Sequence, residues 1–191
     1  MSTESQNQDP QDKQLLAAQE IVTKHTVYAM GSSLIPIPIL DLAAVTAVQL
    51  DMVKTLSHLF GADYSEDSGK TLIGALTGNI FARIGASFLK GIPVFGSILG
   101  GVSLVALSGA ATYALGQVYV RHVSDGGSLG NLNPEDYKEF FRQRYEEGKK
   151  KAEQWKTEAE QTARDIEVDF SDESDANTGK KGGSPSDETP T

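Results

Sequence analysis

Between Lys90 and Arg121 the chain runs for about thirty residues without a charged side chain, and every other segment has to accommodate that run. As one continuous helix it would reach roughly 45 Å at about 1.5 Å per residue, longer than the roughly 30 Å of a bilayer's hydrocarbon core. Pro93 and the pair Gly100-Gly101 interrupt it, so the sequence predicts a bent or capped lead-in followed by a helix over 102–120. That helix is only moderately apolar. Val102, Leu104, Val105, Leu107, Leu115, Val118 and Val120 are offset by Ser103, Ser108, Gly109, Thr112, Gly116 and Gln117.

Small residues recur along this run at helical spacing, with Gly96 and Gly100 four apart and Ala106, Ala110 and Ala114 repeating the step. Rows of this kind let helix backbones approach closely, in lipid or in a tightly packed protein core. Uncharged length favours the membrane setting, and a close-packed soluble core is the alternative.

The rest of the chain predicts further helices. A 3.6-residue pattern begins near Gln11, carries Leu15, Ala18, Val22 and Ala29, and ends around Gly31-Ser32-Ser33. Pro36 and Pro38 then forbid a continuous helix, and Asp41 stands where an N-cap belongs for a helix over 42–60, closed by Gly61. Gln49 is the one polar residue on that helix's apolar face. Ser65 caps a further helix over 66–90, in which Gly74, Gly78, Ala82 and Ala86 form a second small-residue row. The two rows are expected to pack on each other.

Residues 123–133 form a turn-rich linker, and Asn133-Pro134-Glu135 reads as an N-cap with proline at the first helical position. The helix expected over 134–166 is amphipathic and densely charged. It places Phe141, Tyr145, Gly148, Ala152, Trp155, Ala159, Thr162 and Ile166 on a weak coiled-coil-like seam suited to docking. Residues 1–10 are polar, and 167–191 carry most of the excess acid. Both are expected to be disordered tails flanking a core over 11–122. The expected fold class is therefore all-α: a glycine-rich helical core or membrane hairpin, then a long amphipathic helix.

Charge and composition exclude several function classes. A net charge of -9 with no basic face argues against nucleic acid, whose binding rests on phosphate neutralisation. The absence of cysteine removes disulfides, thiol catalysis and thiolate metal sites. The first residues are polar and acidic, unlike a secretory signal.

Few residues suggest chemistry. Ser68-Gly69-Lys70-Thr71 resembles the end of a phosphate-binding loop, but Tyr64 occupies the position of its first glycine, and the segment reads as an ordinary helix start. Asp51 and His58 share a helix face and would suit a metal or a proton relay; a solvated or partner-bonded pair is the plainer reading. Asp41 is either an N-cap or an intramembrane acid, with Arg83 a conceivable partner in a channel or pore. No cofactor motif and no paired acid and base stand out, so a non-enzymatic role is expected.

The segment Ile35-Pro36-Ile37-Pro38-Ile39-Leu40-Asp41 resembles the family known as domain of unknown function 697, as do Gln49-Leu50-Asp51-Met52, Leu59-Phe60-Gly61 and the stretch from Gly85 to Gly96. The resemblance spans about residues 25–122 and implies a YcjF-like, membrane-associated bacterial helical module linked to GTPases. No G domain accompanies it here, so any GTPase would be a separate protein. Phe141, Tyr145 and Trp155 on the C-terminal helix are the expected docking residues for it. Membrane lipid and a second copy of the chain are the other expected partners. The implied location is the bacterial inner membrane or its cytoplasmic face, with both termini cytoplasmic.

Overall fold

The computed structural model describes residues 9–32, 38–89 and 104–178, with side chains described over 9–31, 43–80, 82 and 105–158. Among the described residues there are five helices and no strand: α1 (Pro10–Ser32), α2 (Pro38–Phe60), α3 (Glu66–Leu89), α4 (Leu104–Ser124) and α5 (Pro134–Thr178). The chain divides into two compact units, residues 1–154 and 155–191. The first contains the bundle; the second contains the continuation of α5.

Local chemistry sets the helix ends. Asp9 caps α1 through its Oδ1, which accepts from the Gln11 amide at 3.1 Å, with Pro10 at the first helical position. Pro38 plays that positional role in α2, whose start costs no backbone donor because proline has none. The helix thus begins three residues before Asp41, which lies inside its first turns and is not the N-cap expected from the sequence. Gly61 adopts φ 67° and closes α2, with the Ala62 amide donating to the Ser57 carbonyl at 2.9 Å and the Gly61 amide to the His58 carbonyl. Gly126, at φ 83°, closes α4 with the same two bonds. Asn133 caps α5, its Oδ1 accepting from the Glu135 amide. The helix runs on to Thr178, well past the end expected near Ile166.

Helix α4 is the element around which the bundle packs. Every residue from Ser108 to Val120 is buried, which is the burial expected for a helix without a polar face in a protein interior. The directions follow from residue pairs. Met30 lies at Gly109 and Val22 at Gly116, so α1 runs antiparallel to α4. Gln49 meets Thr112 and Ser57 meets Tyr119, so α2 runs parallel to it. Ala152 meets Gly109, and Tyr137 meets His122, so α5 runs antiparallel. Helix α3 packs on α2 through Leu72, Ile73 and Leu76, and Gly69 sits against Leu50 and Tyr64.

Two expectations are corrected here. The half of the uncharged run that is described is a core helix covered by α1, α2 and α5, and no described helix is long and apolar enough to cross a membrane. Nor do the small-residue rows of α3 and α4 meet. The α4 row is buried, whereas a methyl group added at Gly74 or Gly78 would find nothing within 4 Å. The small residues of α4 are met instead by Met30 and Val22 of α1, Met52 of α2, and Gly148 and Ala152 of α5. Gly96 and Gly100 lie outside the described residues.

These contacts separate two kinds of glycine. A Cβ at Gly116 would stand 2.7 Å from a Val22 methyl and 3.1 Å from the Met52 sulfur. Gly116→Ala should therefore destabilise the protein by about 1–3 kcal/mol through overpacking. Gly78→Ala should be neutral or stabilise it by up to about 1 kcal/mol through helix propensity. Urea-unfolding midpoints of the two variants check this; loss of stability in Gly78→Ala would show a contact at that face.

Candidate functional site

The side chains capable of chemistry are concentrated along α4 and the helices that face it. On the α2 side, Gln49 is fully buried and its Nε2 donates to Thr112 Oγ1 at 3.1 Å, while Gln49 Oε1 has no hydrogen-bond partner. Two turns further on, Ser57 and Tyr119 share a 2.6 Å hydroxyl contact, and Ser57 also donates back to the Val53 carbonyl at 2.8 Å. On the α1 side, the Gln19 and Gln117 amides face each other, with Gln117 Nε2 donating to Gln19 Oε1 at 2.6 Å. The polar positions of α4 therefore form rungs to both neighbours. They fix axial register in a core whose apolar residues would tolerate sliding.

On the α5 side, Tyr113 donates to Glu147 Oε1 at 2.7 Å, and Arg144 donates to Glu147 Oε2 at the same distance. Burial pushes the Tyr113 hydroxyl up to about 12, helped by the neighbouring carboxylate of Glu147. Burial pushes Tyr145 up to about 12 as well, with Glu146 adding to it. Burial alone would raise Glu147, but the bonds from Tyr113 and Arg144, with the charges of Arg144 and Lys151, outweigh it and hold Glu147 below its ordinary value.

At the end of α4, Tyr137 lies 3.0 Å from His122 Nδ1, and His122 Nε2 faces the Ser128 carbonyl at 3.0 Å and Asn131 Oδ1 at 2.8 Å. A neutral ring that accepts from Tyr137 and donates through Nε2 satisfies all three. A methyl at Gly127 would fall onto the His122 ring, so glycine is required there to let the turn close over it.

The candidates from the sequence fare differently. Asp51 does not pair with His58: it lies 3.0 Å from Nε2 of His25 on α1, and His58 is exposed. His25 Nδ1 lies 2.8 Å from the Ile21 carbonyl, so the ring ties α1 to α2. No group of metal-ligating side chains occurs among the described residues. The Ser68 to Thr71 segment lies within the first two turns of α3, where Lys70 pairs with Glu66 at 2.6 Å.

Gln49 is a buried structural partner of Thr112. Phe141 is buried in the protein's own core, and Tyr145 packs against it, so neither ring is offered outward as expected. Trp155 is half-buried in the second unit. Pro36 lies outside the described residues, Pro38 begins α2, and the side chains of Asp41 and Arg83 lie outside the described ones. The sequence reading did not assign roles to Thr112, Ser57, Tyr119 or Glu147. Only a polar residue recurring on an apolar face, as Gln49 does, could have signalled them.

The arrangement supplies register and rigidity rather than an acid and base aimed at a shared cavity. Two predictions follow from it. Thr112→Val should cost about 1–3 kcal/mol by leaving the Gln49 amide unpaired, and the Gln49→Met/Thr112→Val double variant should recover most of the loss, giving a clear coupling in a double-mutant cycle. Additive losses would mean that the pair does not act as a unit. Secondly, an unfolded tyrosine ionises near pH 10, but Tyr113 and Tyr145 stay protonated in the fold until about 12. The unfolded state then holds fewer protons than the native state, so stability should fall as pH rises from about 10 to 12. Tyr145→Phe should shallow that fall in denaturation curves recorded across this range.

A relative from Magnetospirillum gryphiswaldense, named Magnetosome membrane protein 22, is 36% identical over 155 residues, covering 78% of this chain and 80% of the relative. No solved structure matches. The family model described as "Domain of unknown function (DUF697)" matches residues 2–150, nearly the whole first unit, and the chain belongs to that family.

Proposed function

We propose that this protein is a membrane-associated helical accessory protein with no reaction of its own, attached to a bacterial membrane from one end of its bundle. The observation that carries the reading is topological. The C-terminus of α1, the N-terminus of α2 and the N-terminus of α4 lie at the same end of the bundle, as the pairs Met30 with Gly109 and Gln49 with Thr112 require. The sequences that join the bundle there, residues 33–37 and 90–103, carry Lys90 as their one charged residue and include Ile35, Ile37, Ile92, Val94, Phe95, Ile98 and Leu99. At the opposite end the turns carry Asp63 and Asp125, with Glu66, Glu135 and Asp136 in the adjoining helix starts.

The name of the Magnetospirillum gryphiswaldense relative, Magnetosome membrane protein 22, supports a membrane setting. In this reading α4 is the core on which the bundle rests, the end of the bundle at Met30 and Gly109 faces the membrane, and the termini are cytoplasmic. The link to a separate GTPase, implied by family membership, belongs to the same proposal as the partner; its check is stable co-purification with a protein that hydrolyses GTP.

The full chain made in a bacterium should pellet with membranes at neutral pH and be released by detergent. Complete recovery in the high-speed supernatant would overturn membrane association and leave the second copy of the chain as the partner to pursue.

A further inference from the structure

We propose that the edge formed by the lysines of α5 and the half-exposed residues of α1 is a contact surface for anionic lipid headgroups, an inference that rests on the membrane reading above and names the lipid chemistry. Lys149, Lys150 and Lys151 are consecutive, so at about 100° per residue they do not share a face. Gly148 and Ala152 turn towards α4, where they meet Ala110 and Gly109, and the three lysines therefore ring the free side of α5 at one height. Lys150 is exposed, Lys149 lies over the Tyr145 ring at 5.4 Å, and Lys151 lies over the Tyr113 ring at 5.5 Å.

Glu146 and Glu147 each approach one lysine, at 2.6 Å from Lys149 and 3.7 Å from Lys151. Glu147 is shared with Tyr113 and Arg144, so the stretch from Arg144 to Lys151 keeps a cationic excess.

Helix α1 reaches the same height, because Met30 and Ala152 both stand against Gly109. There α1 exposes Val27 and Tyr28, 48% and 51% accessible, with Lys24 over the Tyr28 ring at 5.7 Å. Ammonium groups on long apolar stems beside partly exposed aliphatic and aromatic side chains suit the boundary between headgroups and acyl chains. The height is that of the first turns of α4, on the end proposed to face the membrane. Near the start of α5, Lys138 and Arg142 are offset by Glu135, Asp136 and Glu139, so the cationic excess that attracts an anionic surface lies at Arg144 to Lys151 and not there.

The test is flotation of the full chain with vesicles of phosphatidylcholine alone and of phosphatidylcholine mixed with phosphatidylglycerol. The wild-type chain should bind the anionic vesicles more tightly, and added salt should reduce the difference. Replacing all three residues, as Lys149→Gln/Lys150→Gln/Lys151→Gln, should weaken binding to the anionic vesicles roughly fivefold per lysine and on the order of a hundredfold together, with an unchanged unfolding midpoint. Lys150→Gln alone, at an exposed position, should give the single step and guards against a folding defect in the triple variant. Lys138→Gln at the opposite end should change nothing.

Equal binding of the wild-type chain to both vesicle types would overturn the anionic-lipid assignment while leaving the membrane reading standing. An unaffected triple variant, or an equal loss in Lys138→Gln, would do the same. Binding to neither vesicle type would overturn both.

Discussion

The approach of three helices to the backbone of α4 is the constraint from which the rest of the structure follows. A helix covered on several sides has no direction in which to point a charge, and one approached this closely has little room for large side chains. Gly109 is met by Met30 from α1 and by Ala152 from α5, Gly116 by Val22 and Met52, and Ala110 by Gly148. Each contact needs a small residue on at least one side. The uncharged, alanine- and glycine-rich character of the run therefore has a cause within the protein, whichever surface the bundle rests against.

Close packing of small side chains holds helices together but positions them poorly along their axes. The polar residues of α4 remedy this. Thr112 with Gln49, Tyr119 with Ser57, Gln117 with Gln19 and Tyr113 with Glu147 each reward one register and penalise its neighbours, because a buried donor or acceptor moved out of reach loses about 1–3 kcal/mol. Bonds of this kind reach α1, α2 and α5, and His122 secures the turn that brings α5 back onto the core. Membership of the domain of unknown function 697 family thus corresponds here to a register-locked helical core, with the lipid-facing character proposed for one of its ends.

Much of the local structure was legible. Asn133-Pro134, Ser65 and Gly61 marked helix ends because capping is decided by a few neighbouring residues, and the apolar face expected on α2 is a real buried face at Val45, Met52, Val53 and Leu56. Asp41 misled because an acid before an apolar run looks like a cap, whereas Pro38 already satisfies the demands of the first helical position. The α3 row of Gly74 and Gly78 misled for a different reason. A small residue permits close approach without specifying by what, and α3 turns that row away from α4. The docking role expected of Phe141 and Tyr145 shares this ambiguity, since an amphipathic seam looks the same whether its partner is another protein or the chain's own core.

The sequence by itself determined that the chain is helical, where most helices begin and end, and that the run ahead of Arg121 must be surrounded by other groups. These depend on capping, periodicity and the cost of burying charge, all of which act over a few residues. Only the tertiary structure decided what surrounds its described half, α4: α1, α2 and α5 pack closely on it, and α3 touches it without bringing Gly74 and Gly78 to its small residues. It likewise decided that Asp51 meets His25 and that Gln49 faces Thr112. Those pairings join residues 26 and 63 positions apart in the chain, and they depend on how the helices are stacked, which no local pattern encodes.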